Sequence, residues 1–208
     1  MKAPRIPPML STIIQAALVA VDGVTFAGRA ACPYCGGPLS GYDTKKRVFA
    51  IIREDDRERA LNVTVKRFSC AHCGCIVNAD EPFYPGTRIG SPIVDLCRSL
   101  ATMMPANRTA AWLDAMDVIV DRTSCRNYVK MVPGPVPATD LFGIGIPRSV
   151  IALSTLAAVA GGERSAISGA EVLAACGFPS ADRAPLQRLR RKEGEDRDPE
   201  EEKEERQM

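Results

Sequence analysis

The pattern of apolar and polar residues predicts a β-hairpin flanked by helices. Residues 9–21 are mostly apolar, and their spacing predicts a short amphipathic helix. The runs 47–52 and 61–68 have strand-like composition, and the second alternates apolar and polar side chains. The charged segment 54–59 lies between them. We therefore expect the two runs to pair, with the charged segment at the tip of the hairpin.

Helical periodicity dominates after residue 90. Ser91 followed by proline predicts the start of a helix that lasts until Pro105. Asn107 predicts the cap of a second helix, Asp117 the turn after it, and Thr123 the start of a third. Three helices of this order and length match a helix-turn-helix. The positions expected to face inward are Ile93, Leu96, Cys97, Leu100, Met104, Ala110, Leu113, Cys125, Tyr128, Val129 and Val132.

The Pro- and Gly-rich stretch 132–137 predicts a stiff linker, because proline fixes φ and removes a hydrogen-bond donor. Residues 147–192 again have helical periodicity. A capping box from Ser168 to Glu171 opens one of these helices, and Gly177 ends it. The unit is either a second helix-turn-helix or an ordinary helical hairpin with a basic end, and the pattern leaves both open.

Charge is distributed unevenly along the chain. The 208 residues carry a formal net charge of +2, but residues 193–208 hold nine acidic and three basic side chains, so residues 1–192 carry +8. A basic body favours polyanionic partners through Coulomb attraction and counterion release, although a merely solvated basic surface is the alternative. We expect no membrane span, because the apolar run 9–21 is too short to cross a bilayer, which takes roughly 20 residues.

Two C-x-x-C motifs indicate a metal site. Cys32 and Cys35 form the first and Cys70 and Cys73 the second, each followed directly by glycine. Each motif directs two sulfurs at one cation, and two such turns complete a tetrahedral thiolate site. We expect these four cysteines to bind one structural Zn²⁺ in a zinc ribbon, and the protein to be cytoplasmic, where thiols stay reduced. A redox C-x-x-C would need only one pair.

Enzyme activity is not expected. The one histidine of the sequence, His72, lies inside the second C-x-x-C motif. Cys97, Cys125 and Cys176 lie on apolar helix faces, where buried structural cysteine is the common outcome. Cys75 follows the second motif too closely for the usual turn, and His72 lies within the turn itself. We therefore expect neither residue to be a zinc ligand.

The third predicted helix offers side chains that suit DNA. Arginine pairs bidentately with guanine and asparagine with adenine, and Thr123 and Ser124 at the helix N-terminus suit a phosphate. In a plain three-helix bundle the same polar face would merely be solvated. The candidate contacts with double-stranded DNA are Arg122, Thr123, Ser124, Arg126, Asn127 and Lys130. The ribbon adds basic residues at Lys45, Lys46, Arg47, Arg53, Arg57, Arg59, Lys66 and Arg67.

The region from Cys32 to Tyr128 resembles the N-terminal DNA-binding region of prokaryotic, especially archaeal, insertion-sequence transposases. The resemblance lies in the ribbon end Val65–Gly74 and in the helical stretches Arg108–Ala111 and Val120–Tyr128. It implies zinc-supported, site-specific DNA binding by the third helix. Those enzymes catalyse transposition on a separate ribonuclease-H-like domain with three carboxylates. We expect no such domain here, so transposition activity is not carried over.

We expect an α+β fold, in which a small β zinc ribbon is followed by mainly α helix-turn-helix units. The expected divisions are an N-terminal segment with a short amphipathic helix (1–28), the zinc ribbon (29–80), the helix-turn-helix (91–132), a Pro/Gly linker (133–146), a second helical unit (147–192) and a charged disordered tail (193–208). The expected function is DNA binding by a transcriptional regulator or a transposase-derived fragment. The alternative is a protein-interaction adaptor of a larger nucleic-acid-processing complex. A protein partner or a homodimer is compatible with either.

Overall fold

The computed structural model describes residues 6–131, 134–159 and 168–177. Val132 and the zones predicted beyond residue 177 lie outside the described residues. In chain order the elements are α1 (Pro8–Val19), β1 (Thr25–Phe26), β2 (Leu39–Glu54), β3 (Arg57–Cys70), β4 (Ile76–Asn78), α2 (Ser91–Ala101), α3 (Ala106–Ala115), α4 (Arg122–Met131), β5 (Ala138–Leu141), β6 (Ile144–Pro147), α5 (Arg148–Val159) and α6 (Gly169–Ala175). The predicted α+β class is confirmed.

Strands β2 and β3 form a long antiparallel hairpin that begins at the Leu39–Cys70 pair. Asp55 and Asp56 form its two-residue turn with φ values of 50° and 59°. A type I′ turn needs these left-handed values, and aspartate tolerates them better than most residues. Strand β1 pairs in parallel with β3, and β4 pairs with it in antiparallel. The predicted hairpin with a charged tip is confirmed.

Helix α2 lies at the centre of the core, with residues 91–100 all buried, whereas the sequence predicted a single buried face. Its start also differs from the prediction. Gly90 occupies the N-cap position, and the hydroxyl of Ser91, the first helical residue, is buried without a hydrogen-bond partner among the described residues. A side chain would not fit at Gly90, because a Cβ there would lie 2.4 Å from the Phe49 ring.

Helices α3 and α4 follow at the predicted places, with differences at their ends. Pro105 rather than Asn107 occupies the N-cap of α3, and Asn107 is exposed in the first turn. Asp117 forms the turn after α3 with a φ of 59°, as expected for a residue that tolerates the left-handed region. Cys125 of α4 is buried as predicted. Val129 is 41% exposed, so its predicted place on the buried face of α4 is wrong.

The predicted linker over residues 133–146 is wrong over much of its length, because β5 and β6 pair there as a hairpin. Ile144 and Ile146 are buried and anchor this hairpin to the core. The Ser99 hydroxyl of α2 donates to the Gly145 carbonyl oxygen at 2.5 Å. Alternation of isoleucine and glycine in this segment was a strand signal that the prolines obscured.

Helix α5 packs against α1, so the two ends of the described chain share one hydrophobic core with the hairpin. Helix α6 opens with the predicted capping box. The Glu171 amide donates to Ser168 Oγ at 3.1 Å, and the Ser168 amide donates to the Glu171 carboxylate at 2.7 Å. None of the helices in the described part of the chain has the length and apolar character needed to cross a membrane.

Candidate metal centre and nucleic-acid interface

The four predicted ligand sulfurs lie together in space. The Sγ atoms of Cys32, Cys35, Cys70 and Cys73 are all within 4.8 Å of one another. The Cys32–Cys73 and Cys35–Cys70 sulfur distances are 3.6 Å and 3.5 Å. In a tetrahedral site with metal–sulfur bonds of about 2.3 Å, neighbouring sulfurs lie about 3.8 Å apart. The cluster therefore has the dimensions of one four-coordinate metal site.

The two C-x-x-C motifs fold into turns with matching hydrogen bonds. The Cys32 amide donates to the Gly37 carbonyl oxygen at 3.0 Å, and the Gly36 amide donates to the Cys32 carbonyl oxygen at 2.9 Å. In the second turn, the Cys70 amide donates to the Cys75 carbonyl oxygen and the Gly74 amide donates to the Cys70 carbonyl oxygen, both at 2.9 Å. Gly36 and Gly74 have φ values of 70° and 69°, which glycine adopts without steric cost. The glycine after each motif therefore allows the turn that aims its two sulfurs at one point.

Gly37 brings the main chain directly against the sulfurs. A Cβ at this position would lie 3.2 Å from the Sγ atoms of both Cys35 and Cys70, and 2.7 Å from the His72 Cβ. Any side chain here would push the two turns apart. Neither His72 nor Cys75 belongs to the cluster, in agreement with the four-cysteine assignment.

The thiols of the cluster perturb one another. The Gly37 amide lowers the pKa of the Cys35 thiol, but desolvation and hydrogen bonds with the other three thiols outweigh it and raise the pKa to about 12. The pKa of Cys73 moves in the opposite direction, mainly because the Cys75 amide hydrogen-bonds to its sulfur. Four thiolates at these distances repel strongly, so ionising them together requires a cation between them.

Ion pairs neutralise most arginines of the β2–β3 hairpin. The pairs are Arg47 with Glu81, Arg53 with Asp114, Arg59 with both Asp22 and Glu54, and Arg67 with Asp43. The guanidinium of Arg47 also lies over the Phe83 ring, 3.7 Å from its centroid. The ribbon therefore presents less free positive charge than its sequence suggests.

Helix α4, like Lys45, Lys46 and Arg57 of the hairpin, presents exposed positive charge that no ion pair among the described residues neutralises. Arg122, Arg126 and Lys130 are exposed, and none of them forms an ion pair within the described ranges. Their spacing of four residues places them in one stripe along the helix. Thr123 and Asn127 are exposed beside this stripe. A polyanion approaching α4 would meet cations that have no competing carboxylate partner in the described part of the chain.

The N-terminus of α4 differs from the expectation. Asp121 Oδ1 accepts hydrogen bonds from the amides of Thr123 and Ser124 at 2.8 and 2.9 Å, and Oδ2 accepts from the Ser124 hydroxyl at 2.5 Å. The Ser124 hydroxyl contributes most to lowering the pKa of Asp121, followed by the amides. The phosphate site expected at Thr123 and Ser124 is therefore blocked by the protein's own carboxylate. The spacing of Asp121 and Ser124 was a capping signal that the sequence analysis overlooked.

The turn before α4 is fastened to two other elements. Val118 forms a β-bridge with Ile52 of β2, and the Arg53 amide donates to the Asp117 carbonyl oxygen at 2.9 Å. Asp117 Oδ2 accepts from Gln15 Nε2 of α1 at 3.0 Å. These contacts join residues about 60 to 100 positions apart in the sequence, so no local sequence pattern predicts them. They fix the start of α4 relative to the hairpin.

Cysteines outside the cluster are packing residues. Cys97 of α2 and Cys125 of α4 are fully buried, with their sulfurs 3.8 Å apart. The hydrogen bond from Cys125 and burial raise the pKa of the Cys97 thiol, the same sulfur–sulfur contact lowers the pKa of Cys125, and desolvation raises the pKa of the half-buried Cys176. The raised pKa values favour the protonated thiols of Cys97 and Cys176, and a protonated thiol is a poor nucleophile.

A cavity of about 550 Å³ lies beside the first cysteine turn. The first turn, β4, the loop after β4 and α6 line it. Tyr34 and Ile76, two of its lining residues, are 42% and 47% exposed. Exposed apolar side chains around a concave surface are typical of protein-docking sites, so this cavity favours the adaptor alternative.

No family model, curated protein or solved structure matches this chain. The function is therefore inferred from the cysteine cluster and from the charge on α4.

Proposed function

We propose that Cys32, Cys35, Cys70 and Cys73 bind one structural Zn²⁺ ion. The spacing of the sulfurs and the two matching turns support this assignment. Four thiolates fill a tetrahedral site and leave no position for an activated water, so zinc here would stabilise the fold. The ion would link the turn before β2, which holds Cys32 and Cys35, to the turn after β3, which holds Cys70 and Cys73.

Metal analysis of the purified protein tests the zinc proposal. We expect about one zinc per chain in the wild type, far less in Cys70→Ser, and an unchanged content in Cys75→Ser. The last variant is a matched control, because Cys75 lies next to the cluster without belonging to it. A different metal, or equal zinc loss in both variants, would contradict the four-cysteine assignment.

We further propose that α4 binds double-stranded DNA. The observation that carries this proposal is the exposed stripe of Arg122, Arg126 and Lys130, which forms no ion pair within residues 6–131, 134–159 and 168–177, whereas the hairpin arginines are mostly ion-paired. Counterion release would supply much of the affinity. An exposed helix that carries arginine and asparagine also suits the major groove, where each base pair has a distinct pattern of donors and acceptors.

Each side chain of α4 would have a distinct role. Arg126 lies in the middle of the exposed stripe and is proposed to read a guanine, with Asn127 reading an adjacent adenine. Arg122 and Lys130, at the two ends of the stripe, are proposed to contact phosphates. The exposed Thr123 is proposed to join them, whereas Ser124 is half-buried and bonded to Asp121.

Binding of fluorescent duplex DNA of mixed sequence, followed by anisotropy with zinc-loaded protein, tests the DNA proposal. We expect Arg126→Ala to weaken binding by roughly 5- to 150-fold, the equivalent of about 1–3 kcal/mol for one bidentate base contact. Arg67→Ala removes an arginine that Asp43 already neutralises, so we expect little change. Equal losses in both variants would argue that only net charge matters.

We propose that the wider role is that of a transcriptional regulator or a transposase-derived DNA-binding fragment. The support is the resemblance of the Cys32–Tyr128 region to the N-terminal DNA-binding region of insertion-sequence transposases. The alternative is an adaptor that docks a protein at the cavity beside Tyr34. Zinc-loaded protein that fails to bind duplex DNA even at low salt would favour the adaptor.

A further inference from the structure

Strand β2 lies at the edge of its sheet, and part of its outer side has no neighbour among the described residues. Its inner side pairs with β3. On the outer side, the Phe49 carbonyl oxygen accepts from the Gly90 amide at 2.8 Å, and the chain around Val118 covers the strand beyond it. No described backbone group bonds to the outer side over residues 40–48. This free edge, residues 40–48, therefore presents backbone donors and acceptors with which a further strand can pair.

The free edge is open to solvent and carries unpaired charge. Residues 40–46 are all exposed, and the exposed fraction of Tyr42 is 57%. Lys45 and Lys46 form no ion pair within the described ranges. Lysines on an edge strand often keep other chains away. The alternative is that they meet complementary groups on an approaching strand, and the order of side chains along the edge decides between the two.

That order is complementary to itself. Two identical antiparallel strands are related by a two-fold axis that passes through one residue, which then lies opposite its own copy. The midpoint of the free edge is Thr44. With the axis there, Asp43 lies opposite Lys45 of the second copy and Tyr42 comes next, beside Lys46, and the symmetry repeats each contact. Opposite charges directly across two strands stabilise the pair, and a lysine over an aromatic ring is also attractive.

The neighbouring registers are unfavourable. An axis through Asp43 would place two carboxylates directly opposite each other, and an axis through Lys45 would do the same with two ammonium groups. An axis through Thr44 avoids both, and threonine pairs favourably with threonine across strands. The pairing of β2 with β3 has no bulge from Asp43 to Val48, so the backbone at this axis is regular.

Asp43 is able to bind a second cation. Its two oxygens accept from the guanidinium of Arg67, with 2.6 Å for the bond to Oδ1, and this hydrogen bonding holds the pKa of Asp43 below its ordinary value. An ionised carboxylate offers about four lone-pair positions, so positions remain for the ammonium group of a second chain. Because Asp43 and Lys45 are both exposed, the contact would fix the register more than it adds affinity.

We propose that the free edge of β2 pairs in antiparallel with the free edge of a second copy, about a two-fold axis at Thr44, so that two hairpins form one continuous sheet. The partner is this same chain because its own edge supplies the complementary charges. One pair of nine-residue strands is a small interface, so the dimer dissociates in the micromolar rather than the nanomolar range. The dimer is independent of the proposed DNA binding, and its tests contain no DNA.

Sedimentation velocity of the zinc-loaded protein at increasing concentration tests the dimer. We expect a shift from monomer to dimer below about 0.5 mM. Lys45→Glu, which places a second carboxylate opposite Asp43, should raise the dissociation constant by about tenfold or more. Arg57→Glu is the matched control, because Arg57 is an exposed cation near the hairpin tip, without an ion pair among the described residues. A wild type that stays monomeric, or an equal effect of both variants, would overturn the proposal.

Thr44→Cys tests the register. At the axis the two Cα atoms lie about 4.5–5.5 Å apart, so a short bismaleimide should join two Thr44→Cys chains. Ser40→Cys is the control, because its copy lies about eight residues, or about 27 Å, farther along the strand. Wild type gives the background from the native cysteines. We expect covalent dimer above that background in Thr44→Cys and not in Ser40→Cys. A dimer that cross-links through Ser40→Cys, or not through Thr44→Cys, contradicts the two-fold axis at Thr44.

Discussion

Asp117 offers a quantitative test of how the start of α4 is held. Its backbone adopts a left-handed φ of 59°, and its Oδ2 atom accepts from Gln15 Nε2 at 3.0 Å and from Ser11 Oγ at 3.4 Å. Replacement by alanine removes both acceptor contacts and places in the turn a residue that tolerates this conformation less well than aspartate.

We expect Asp117→Ala to lower the free energy of unfolding by about 2.5–4 kcal/mol. A hydrogen bond to a charged group contributes about 1.5–3 kcal/mol, and the left-handed backbone adds about 1 kcal/mol for alanine. Asp117→Asn keeps the backbone tolerance and one acceptor oxygen, so it should cost less than about 1 kcal/mol. Asp117→Gly relieves the strain but still lacks the acceptor oxygens, so its effect should lie between the two.

Urea denaturation of zinc-loaded protein provides the assay. With a slope of about 2–3 kcal/mol per molar urea, Asp117→Ala should lower the midpoint by about 1 M or more without a change of slope. A midpoint within about 0.2 M of wild type would refute the reasoning, since neither the strain nor the hydrogen bonds would then matter. An Asp117→Asn variant as unstable as Asp117→Ala would show that the carboxylate charge dominates instead.

Three further predictions concern the metal site and the core. Gly37→Ala should lower zinc affinity by about tenfold or more in chelator competition, because a Cβ would press on two ligand sulfurs, whereas Gly28→Ala, with open space around it, should not change it. Zinc removal should speed amide hydrogen exchange in the two cysteine turns but not at Leu61 and Val63, which are buried in the main core. Desolvation raises the pKa of Asp95, so its ionisation should make wild type lose stability as pH rises from the ordinary aspartate pKa through the raised one. The difference in unfolding free energy between wild type and Asp95→Asn, measured at several pH values, should show this loss, because the lowered pKa of Asp121 acts in the opposite direction in both proteins.

The parts of the fold that were predictable from the sequence have local causes. The cysteine pairs imply a tight turn at each C-x-x-C, and the alternation around Val63 implies a strand with one buried face. Helix α4 was located correctly because Cys125 and Tyr128, spaced three residues apart, mark its buried side. Val129 lies at the edge of that side, where periodicity alone does not decide between burial and exposure.

The parts that were missed depend on contacts between distant segments. Arg53 and Asp114 are 61 positions apart, so no local sequence pattern indicates that they form an ion pair. The burial of α2 on every side likewise requires β6 and α5 to pack on it. The hairpin of β5 and β6 was obscured by the prolines at 133, 135 and 137, which were interpreted as a linker, and by Pro147, which was placed at the start of a helix although it ends β6.

The salt dependence of duplex binding tests the central claim, DNA binding through α4, most directly. Zinc-loaded wild type and the double variant Arg122→Ala/Lys130→Ala would be titrated with one duplex at several salt concentrations. We predict that wild-type affinity falls steeply with salt and that the double variant lowers the slope of log K against log salt by up to about 1.8, or about 0.9 for each phosphate that the protein no longer neutralises. An unchanged slope would contradict the account, because the stripe of cations on α4 would then not touch the DNA backbone.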